Sequence, residues 1–295
     1  MPQPATRQRC NIIRRAPCIW WPPIGNLADI SLRALYVLQL ADCIACEDTR
    51  HTHVLLRAYG IEKAGSALLA LHQHNELQGA EQVLARLQQG QRVAYVSDAG
   101  TPGVSDPGAR LVAAVRSEQR QVLPVPGPSS ITAALSVAGA DMGGADHPGF
   151  VFAGFLGSKA QERAASVAAL AAEPRVVVLL EAPHRIAALA DALTALGPRP
   201  LTVARELTKQ FEEVTTLPAA ELPAWLAADG NRLRGEFVVV LHAATVANDA
   251  SDETRVLQLL LAELPLKTAV RLASEITGTP RNAVYARALA LKKTD

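Results

Sequence analysis

One stretch of the chain gathers what a small polar ligand would need: Ser97-Asp98-Ala99-Gly100-Thr101-Pro102-Gly103-Val104-Ser105-Asp106-Pro107-Gly108. Small residues and turn formers let a ligand approach backbone N–H groups, and Asp98 offers an acceptor for a hydroxyl or an ammonium. Four further stretches crowd charge beside apolar runs: Glu47-Asp48-Thr49-Arg50-His51-Thr52-His53, Leu71-His72-Gln73-His74-Asn75-Glu76, Leu180-Glu181-Ala182-Pro183-His184-Arg185 and Ala204-Arg205-Glu206-Leu207-Thr208-Lys209. Acids, cations and imidazoles packed at strand ends are costly unless they are paired or used. Tight surface turns, hydrogen-bonded histidines and interdomain salt bridges would leave the same strings, so the pattern alone keeps both readings open.

Some chemistries are disfavoured by spacing. No G-x-G-x-x-G follows a strand and no Walker lysine is present, so the common dinucleotide and phosphate cradles fail. His51 and His53 form an H-x-H pair without further fixed-spacing ligands, and Cys43-Ile44-Ala45-Cys46 is a C-x-x-C without the second pair a zinc site wants. In a strand those two cysteines would sit roughly 10 Å apart, beyond disulfide reach, and read as small core residues.

The elements that must hold these loops alternate. Helical patterns at Ser31–Leu40, Thr52–Tyr59, Leu77–Gln89 and Ala109–Ser117 interleave with strand patterns at Cys43–Cys46, Ala67–Leu71, Arg92–Val96 and Gln121–Val125. That alternation predicts βαβ units and a parallel sheet, with the polar loops at its carboxyl edge where open sheets bind ligands. Pro124-Val125-Pro126-Gly127-Pro128 punctuates the chain and marks a domain boundary, followed by a helix over Ser129–Ala138. Apolar runs at Phe150–Phe152, Val176–Glu181, Leu201–Arg205 and Phe237–Leu241 then predict a second, mixed sheet of four strands.

The polar stretch Asn248–Asp252 reads as a linker. Beyond it, helical patterns over Glu253–Glu263, Leu266–Ile276 and Pro280–Leu291 form a small module. Its basic residues, Lys267, Arg271, Arg281, Arg287, Lys292 and Lys293, suit phosphate or simply a solvated face. Expected divisions are therefore 23–126 and 127–245, two α/β domains, and 253–295, helical.

Across 295 residues, 49% hydrophobic and 19% charged, the formal charge is only +1, so an RNA-binding surface has to be a local patch. No run of about 18 apolar residues argues for a membrane span. The arginines near the N-terminus lack an apolar segment after them, so the chain is expected to be cytoplasmic.

Taken together, Pro23–Ile30 (P-I-G-N-L-A-D-I), Ala45–Thr52 (A-C-E-D-T-R-H-T), Ser97–Pro102 (S-D-A-G-T-P), Ser105–Gly108 (S-D-P-G), Pro126–Ser129 (P-G-P-S), Glu181–Arg185 (E-A-P-H-R), Ala204–Lys209 (A-R-E-L-T-K) and Gly235–Phe237 (G-E-F) form a collinear set. In this set the chain resembles the 16S ribosomal RNA (cytidine 2'-O)-methyltransferase branch of the tetrapyrrole methylases. The resemblance implies the tetrapyrrole-methylase fold: two α/β domains, S-adenosylmethionine in the cleft between them, a homodimer, and a C-terminal helical module for RNA contact or dimer support. It implies 2'-O-methylation of a decoding-centre cytidine of 16S rRNA in the small ribosomal subunit. By position, Pro23, Asp98, Ala99, Gly100, Ser129, Ser130 and Gly235 would bind the cofactor. Glu47, Asp48 or His72 would take the hydroxyl proton, and Arg50, Arg185 and Lys209 would hold flanking phosphates. The rivals are a small-molecule methylase of the same fold, which would carry G-x-G-x-G-D in its first loop, and a catalytically impaired rRNA-binding protein.

The resemblance breaks before Pro23. The family's first strand reads L-Y-V-V-A-T-P-I-G-N, against Cys18-Ile19-Trp20-Trp21-Pro22-Pro23-Ile24-Gly25-Asn26 here, and prolines are poor residues for a buried strand. Tryptophan has a single codon, TGG, so a one-base shift turns Trp21 into valine and the Pro22 position into alanine. With permitted codons the shift restores G-T-L-Y-M-V-A-T-P-I-G-N. Residues 1–22 are accordingly expected to come from another reading frame.

Overall fold

The computed structural model describes residues 18–20, 23–98, 100–142, 148–244 and 250–291. The chain divides into two compact units, Met1–Ala243 and Ala244–Asp295. The first contains two five-stranded sheets.

The first sheet comprises β1 (Cys18–Trp20), β2 (Cys43–Cys46), β3 (Leu68–Ala70), β4 (Val93–Val96) and β5 (Leu123–Val125), ordered β3-β2-β4-β1-β5 with every pair parallel. Its crossovers are α1 (Leu32–Leu40), α2 (Thr49–Ala58), α3 (Glu76–Gln88) and α4 (Ala109–Ser117). Helices on both faces explain why β2 and β4 are apolar without alternation. In β2, Ile44 and Cys46 pack with Val37, Leu38 and Leu56, while Cys43 and Ala45 pack on the other face with Val83, Leu87 and Leu111. Cys43 and Cys46 are thus free, buried thiols in two different cores.

Two local expectations are corrected, and the first strand is seen. Helix α2 begins at Thr49 rather than Thr52, because Asp48 Oδ1 accepts the Arg50 N–H at 2.7 Å and caps the first turn. Glu76 opens α3 instead of ending a loop; its buried Oε1 accepts the N–H groups of Gly108 (3.0 Å) and Arg110 (2.9 Å), an anion at the start of α4. The first strand does form, pairing Ile19 with Tyr95 on one side and Pro124 on the other. The strand spans Cys18–Trp20, so Pro23 lies outside it, and Pro124 lies in an edge strand where proline is tolerated.

After α5 (Ser130–Val137), the second sheet comprises β6 (Phe150–Gly154), β7 (Val176–Glu181), β8 (Pro200–Arg205), β9 (Glu213–Pro218) and β10 (Phe237–Leu241). The order is β6-β7-β10-β8-β9, parallel only between β6 and β7. The sheet is mixed, with five strands instead of four. β9 is an edge strand, Glu-Val-Thr-Thr-Leu-Pro, whose half-exposed side chains leave no apolar run to read. Helices α6 (Ala160–Ala171), α7 (Ile186–Leu193) and α8 (Leu222–Ala227) serve this sheet, and α7 seals one face with Ile186, Leu189, Ala190 and Leu193. On the other face α5 packs Ala134 and Leu135, together with Ile24, against Val176, Val178 and Val240.

The second unit holds α9 (Ala250–Glu263), α10 (Leu266–Thr277) and α11 (Arg281–Leu291) around Leu257, Val270, Ala273, Val284 and Ala288. Part of the expected linker, Ala250-Ser251-Asp252, is the first turn of α9. Gly278 ends α10 in the left-handed conformation (φ 70°) that lets the chain turn into α11. No helix among the described residues is long and apolar enough to cross a membrane.

Candidate active site

The loops after β4, β7 and β8, with the residues leading into β10, enclose a cavity of about 290 Å³. One wall is apolar, from Leu180, Ala182, Ala204, Leu207, Phe237 and Val238. The other is polar and small, from Gly100, Thr101, Ser129 and Ser130, with Asp106, Glu181 and Glu236 adding three carboxylates. Such a lining can take a ligand that has both an apolar part and hydrogen-bond donors. A second cavity, about 130 Å³, is lined by Pro23, Gly25, His51, Ser97 and Asp98, among others.

The expected cofactor residues are split between these spaces. Gly100, Ser129 and Ser130 line the larger cavity, Pro23 and Asp98 the smaller, and Ala99 lies outside the described residues. Gly235 lines neither. Its φ of 88° and the packing of Glu206 against it, where a Cβ would overlap Glu206 Cγ and Cδ, give it a backbone task.

Asp98 fastens two strand ends together. Its N–H donates to Glu47 Oε2 at 2.7 Å, its Oδ1 accepts the Asp48 N–H at 3.2 Å, and its Oδ2 lies 3.1 Å from His51 Nδ1. Burial pushes the Glu47 carboxyl above its usual range. Asp48 is held well below that range by its hydrogen bonds from Arg50, which make it a poor proton acceptor. Arg50 is spread on the surface against Asp48, its side chain 87% exposed. His72 donates its backbone N–H to Asn75 Oδ1, and its buried Nδ1 has no hydrogen-bond partner among the described residues.

Like Arg50, the other two expected phosphate clamps have partners of their own. Arg185 Nε lies 3.0 Å from Glu181 Oε1 and its NH2 donates to the Leu156 carbonyl. Lys209 Nζ donates to Glu206 Oε1 (2.8 Å) and Glu236 Oε2 (3.0 Å), while its stem lies against Gly25. These ion pairs join the loops; the cations do not stand free toward solvent.

Two residues singled out by the structure went unassigned from sequence. Glu181, fully buried at the end of β7, accepts the Ala182 N–H at 2.9 Å with Oε1, yet its Oε2 has no partner among the described residues and the side chain lines the large cavity. An unsatisfied buried carboxylate oxygen calls for a ligand donor. The available signal was an acid closing the otherwise apolar run Val-Val-Val-Leu-Leu-Glu. The other is Asp106, the second carboxylate of the Ser97–Gly108 loop. Burial, reinforced by the nearby charges of Glu47, Asp98 and Glu236, raises its carboxyl to about 7.

Residues 23–223 match the model of the Tetrapyrrole (Corrin/Porphyrin) Methylases, and residues 247–292 match that of the RsmI C-terminal HTH domain. The ribosomal RNA small subunit methyltransferase I of Escherichia coli is 48% identical over 90% of this chain and 92% of its own length. That of Pseudomonas aeruginosa is 46% identical, over 90% and 94%. Among solved structures, uroporphyrin-III C-methyl transferase from Thermus thermophilus complexed with S-adenyl homocysteine aligns with a TM-score of 0.50 at 17% identity, over 77% of this chain and 97% of that one, a likeness of fold alone. On the match to the family model and the identity to full-length relatives, the chain belongs to the tetrapyrrole methylase family, in its ribosomal RNA small subunit methyltransferase I branch.

Proposed function

We propose that this chain transfers a methyl group from S-adenosylmethionine to the ribose 2'-hydroxyl of a decoding-centre cytidine in small-subunit ribosomal RNA, acting as a homodimer in the cytoplasm. The observation that carries the reading is one chain that has both the carboxylate-lined cavity and a helical unit matching the RsmI C-terminal HTH domain, at 48% identity to a ribosomal RNA small subunit methyltransferase I. A small-molecule methylase of the same fold would have no use for that unit.

The cavity suits the cofactor chemically. The orphaned Glu181 Oε2 awaits a hydroxyl or amino donor, and the apolar wall accepts a flat base. When bound, S-adenosylmethionine supplies a methyl already activated on a sulfonium. The chain's own work is to hold the ribose oxygen in line with that methyl and to exclude water. Gly100 and Thr101 would bring backbone close to the cofactor, with Ser129 and Ser130 facing it. Glu47 and Asp98 would set the loop geometry. On α11, Arg281 and Tyr285 are exposed, as is Lys267 at the start of α10; they offer charge and a stacking surface to RNA.

The test is methyl transfer from labelled S-adenosylmethionine into small ribosomal subunits lacking the modification, followed by nucleoside analysis. Label in 2'-O-methylcytidine at the decoding centre is the expected result. Label on a base, or none in RNA but some in a tetrapyrrole, overturns the reading.

A further inference from the structure

Among the described residues, each carboxylate around the cleft but one is already engaged. Asp48 holds Arg50, Asp98 meets His51 and the Asp48 N–H, Glu47 accepts the Asp98 N–H, Glu181 pairs with Arg185, and Glu236 with Lys209. Asp106 lines the large cavity, and among the described residues no cation or N–H group engages its side chain. Its loop is built to hold it there. Ser105 carries a φ of 61°, a strained conformation for a residue with a side chain, and Gly100 opposite is positioned so that a Cβ would lie 3.7 Å from Asp106 Oδ2.

We propose that Asp106 is a catalytic residue, the group that accepts the ribose hydroxyl proton during methyl transfer. The inference rests on the rRNA 2'-O-methylation reading and adds the base that reading lacks. One Asp106 carboxylate oxygen takes the proton as the hydroxyl oxygen's electron pair forms the O–CH3 bond. The S–CH3 bond breaks with its pair remaining on sulfur, so a sulfonium, a hydroxyl and a carboxylate become a thioether, a methyl ether and a carboxylic acid. The acid then loses its proton to water.

The surroundings tune the group for this task. Glu47 from the end of β2, Asp98 from the end of β4 and Glu236 before β10 all disfavour its charge, and burial acts in the same direction. Tyr95 on β4 is also within electrostatic reach, and its own hydroxyl is pushed up chiefly by burial. A base that titrates near neutrality is half available at working pH and still strong enough to draw a proton. Asp48, held low by Arg50, is ionised but too weak a base for the task.

The experiment uses the full chain, wild type, Asp106→Asn and Asp106→Glu. In ligand-free protein, carboxyl carbon-13 resonances followed against pH should show one group titrating near 7 that is missing from Asp106→Asn. Calorimetry with S-adenosylhomocysteine should give affinities within about twofold of wild type for both variants. Single-turnover methylation of unmodified small subunits should fall about 100-fold or more in Asp106→Asn, the range of a lost general base, with partial recovery in Asp106→Glu. Wild-type rates should rise about tenfold per pH unit below 7 and level above it, a bend that Asp106→Asn loses. The proposal is overturned by an Asp106→Asn rate within about fivefold of wild type, by an unchanged bend, or by a tenfold loss of cofactor affinity, which would make Asp106 an anchor. Wild-type protein that labels something other than a ribose overturns the underlying reading instead.

Discussion

Replacing Arg185 by alanine separates two tasks that the residue could perform. In the structure its guanidinium lies against Glu181, whose side chain is fully buried, while Arg185 itself is 24% exposed. Removing one partner of a buried pair leaves an uncompensated charge and costs about 3–5 kcal/mol. Because water reaches Arg185 and would reach further into the gap left by alanine, the lower end applies, about 3 kcal/mol. For a chain of this size each kcal/mol moves the midpoint by roughly 2–3 °C, so thermal denaturation followed by circular dichroism should show a fall of about 6–9 °C. Arg185→Met with Glu181→Gln should recover most of it, since an apolar and neutral pair has no charge to strand. A phosphate clamp behaves differently: its loss leaves the fold intact and lowers the salt slope of RNA binding by about one. An unchanged melting temperature together with a reduced salt slope would refute the structural assignment and return Arg185 to the RNA.

Other perturbations test neighbouring conclusions. Hydrogen bonds from Arg92 hold the Asp42 carboxyl down at about 2, so its contribution to stability is present above its unfolded value near 4 and fades as pH falls through about 2. Urea denaturation should show Asp42→Asn less stable than wild type at pH 7, by under about 1 kcal/mol because the pair is partly exposed, and the gap should close between about pH 4 and 2. Gly235→Ala should lower the melting temperature by several degrees, about 2–3 kcal/mol, because a Cβ forces Glu206 off Lys209 and the Glu236 N–H and strains a φ of 88°. Replacing residues 1–22 with G-T-L-Y-M-V-A-T should raise the midpoint by about 2–4 °C, as a better strand former enters the sheet; an unchanged midpoint would show that the first strand loses nothing as written.

Much of the scaffold was legible because buried parallel strands are written as apolar runs: Cys43–Cys46 and Val176–Glu181 appear in the structure with the bounds read from sequence. Edge strand β9 was not, since Thr215 and Thr216 owe their extended form to pairing with Val203 and Thr202, partners a dozen residues away. The start of α2 was misread because Asp48 looks the same whether it caps a helix or serves a ligand. The same ambiguity runs through the cleft. Loop motifs led to Gly100, Ser129 and Ser130, but which carboxylates are already paired is a matter of distances between strand ends. Residue types could not separate Asp106 from Asp98, nor foresee that Glu181 keeps one oxygen unsatisfied.

The position of β1 has a consequence for how the chain acquires its fold. It leaves the ribosome before the other strands of its sheet, yet its ladder partners begin at Ala94 on one side and Leu123 on the other. At about 5–20 residues per second, those partners emerge several seconds later, so β1 waits while β2, β3 and β4 can already pair. Its insertion is then a late, long-range closure, slow by the entropy of the loops it must span. Until it happens, β4 and β5 each present an unpaired edge, the form in which strands find the wrong partner. A weak segment in this position therefore exacts its toll during synthesis, as aggregation or chaperone demand, before the finished protein has met any substrate.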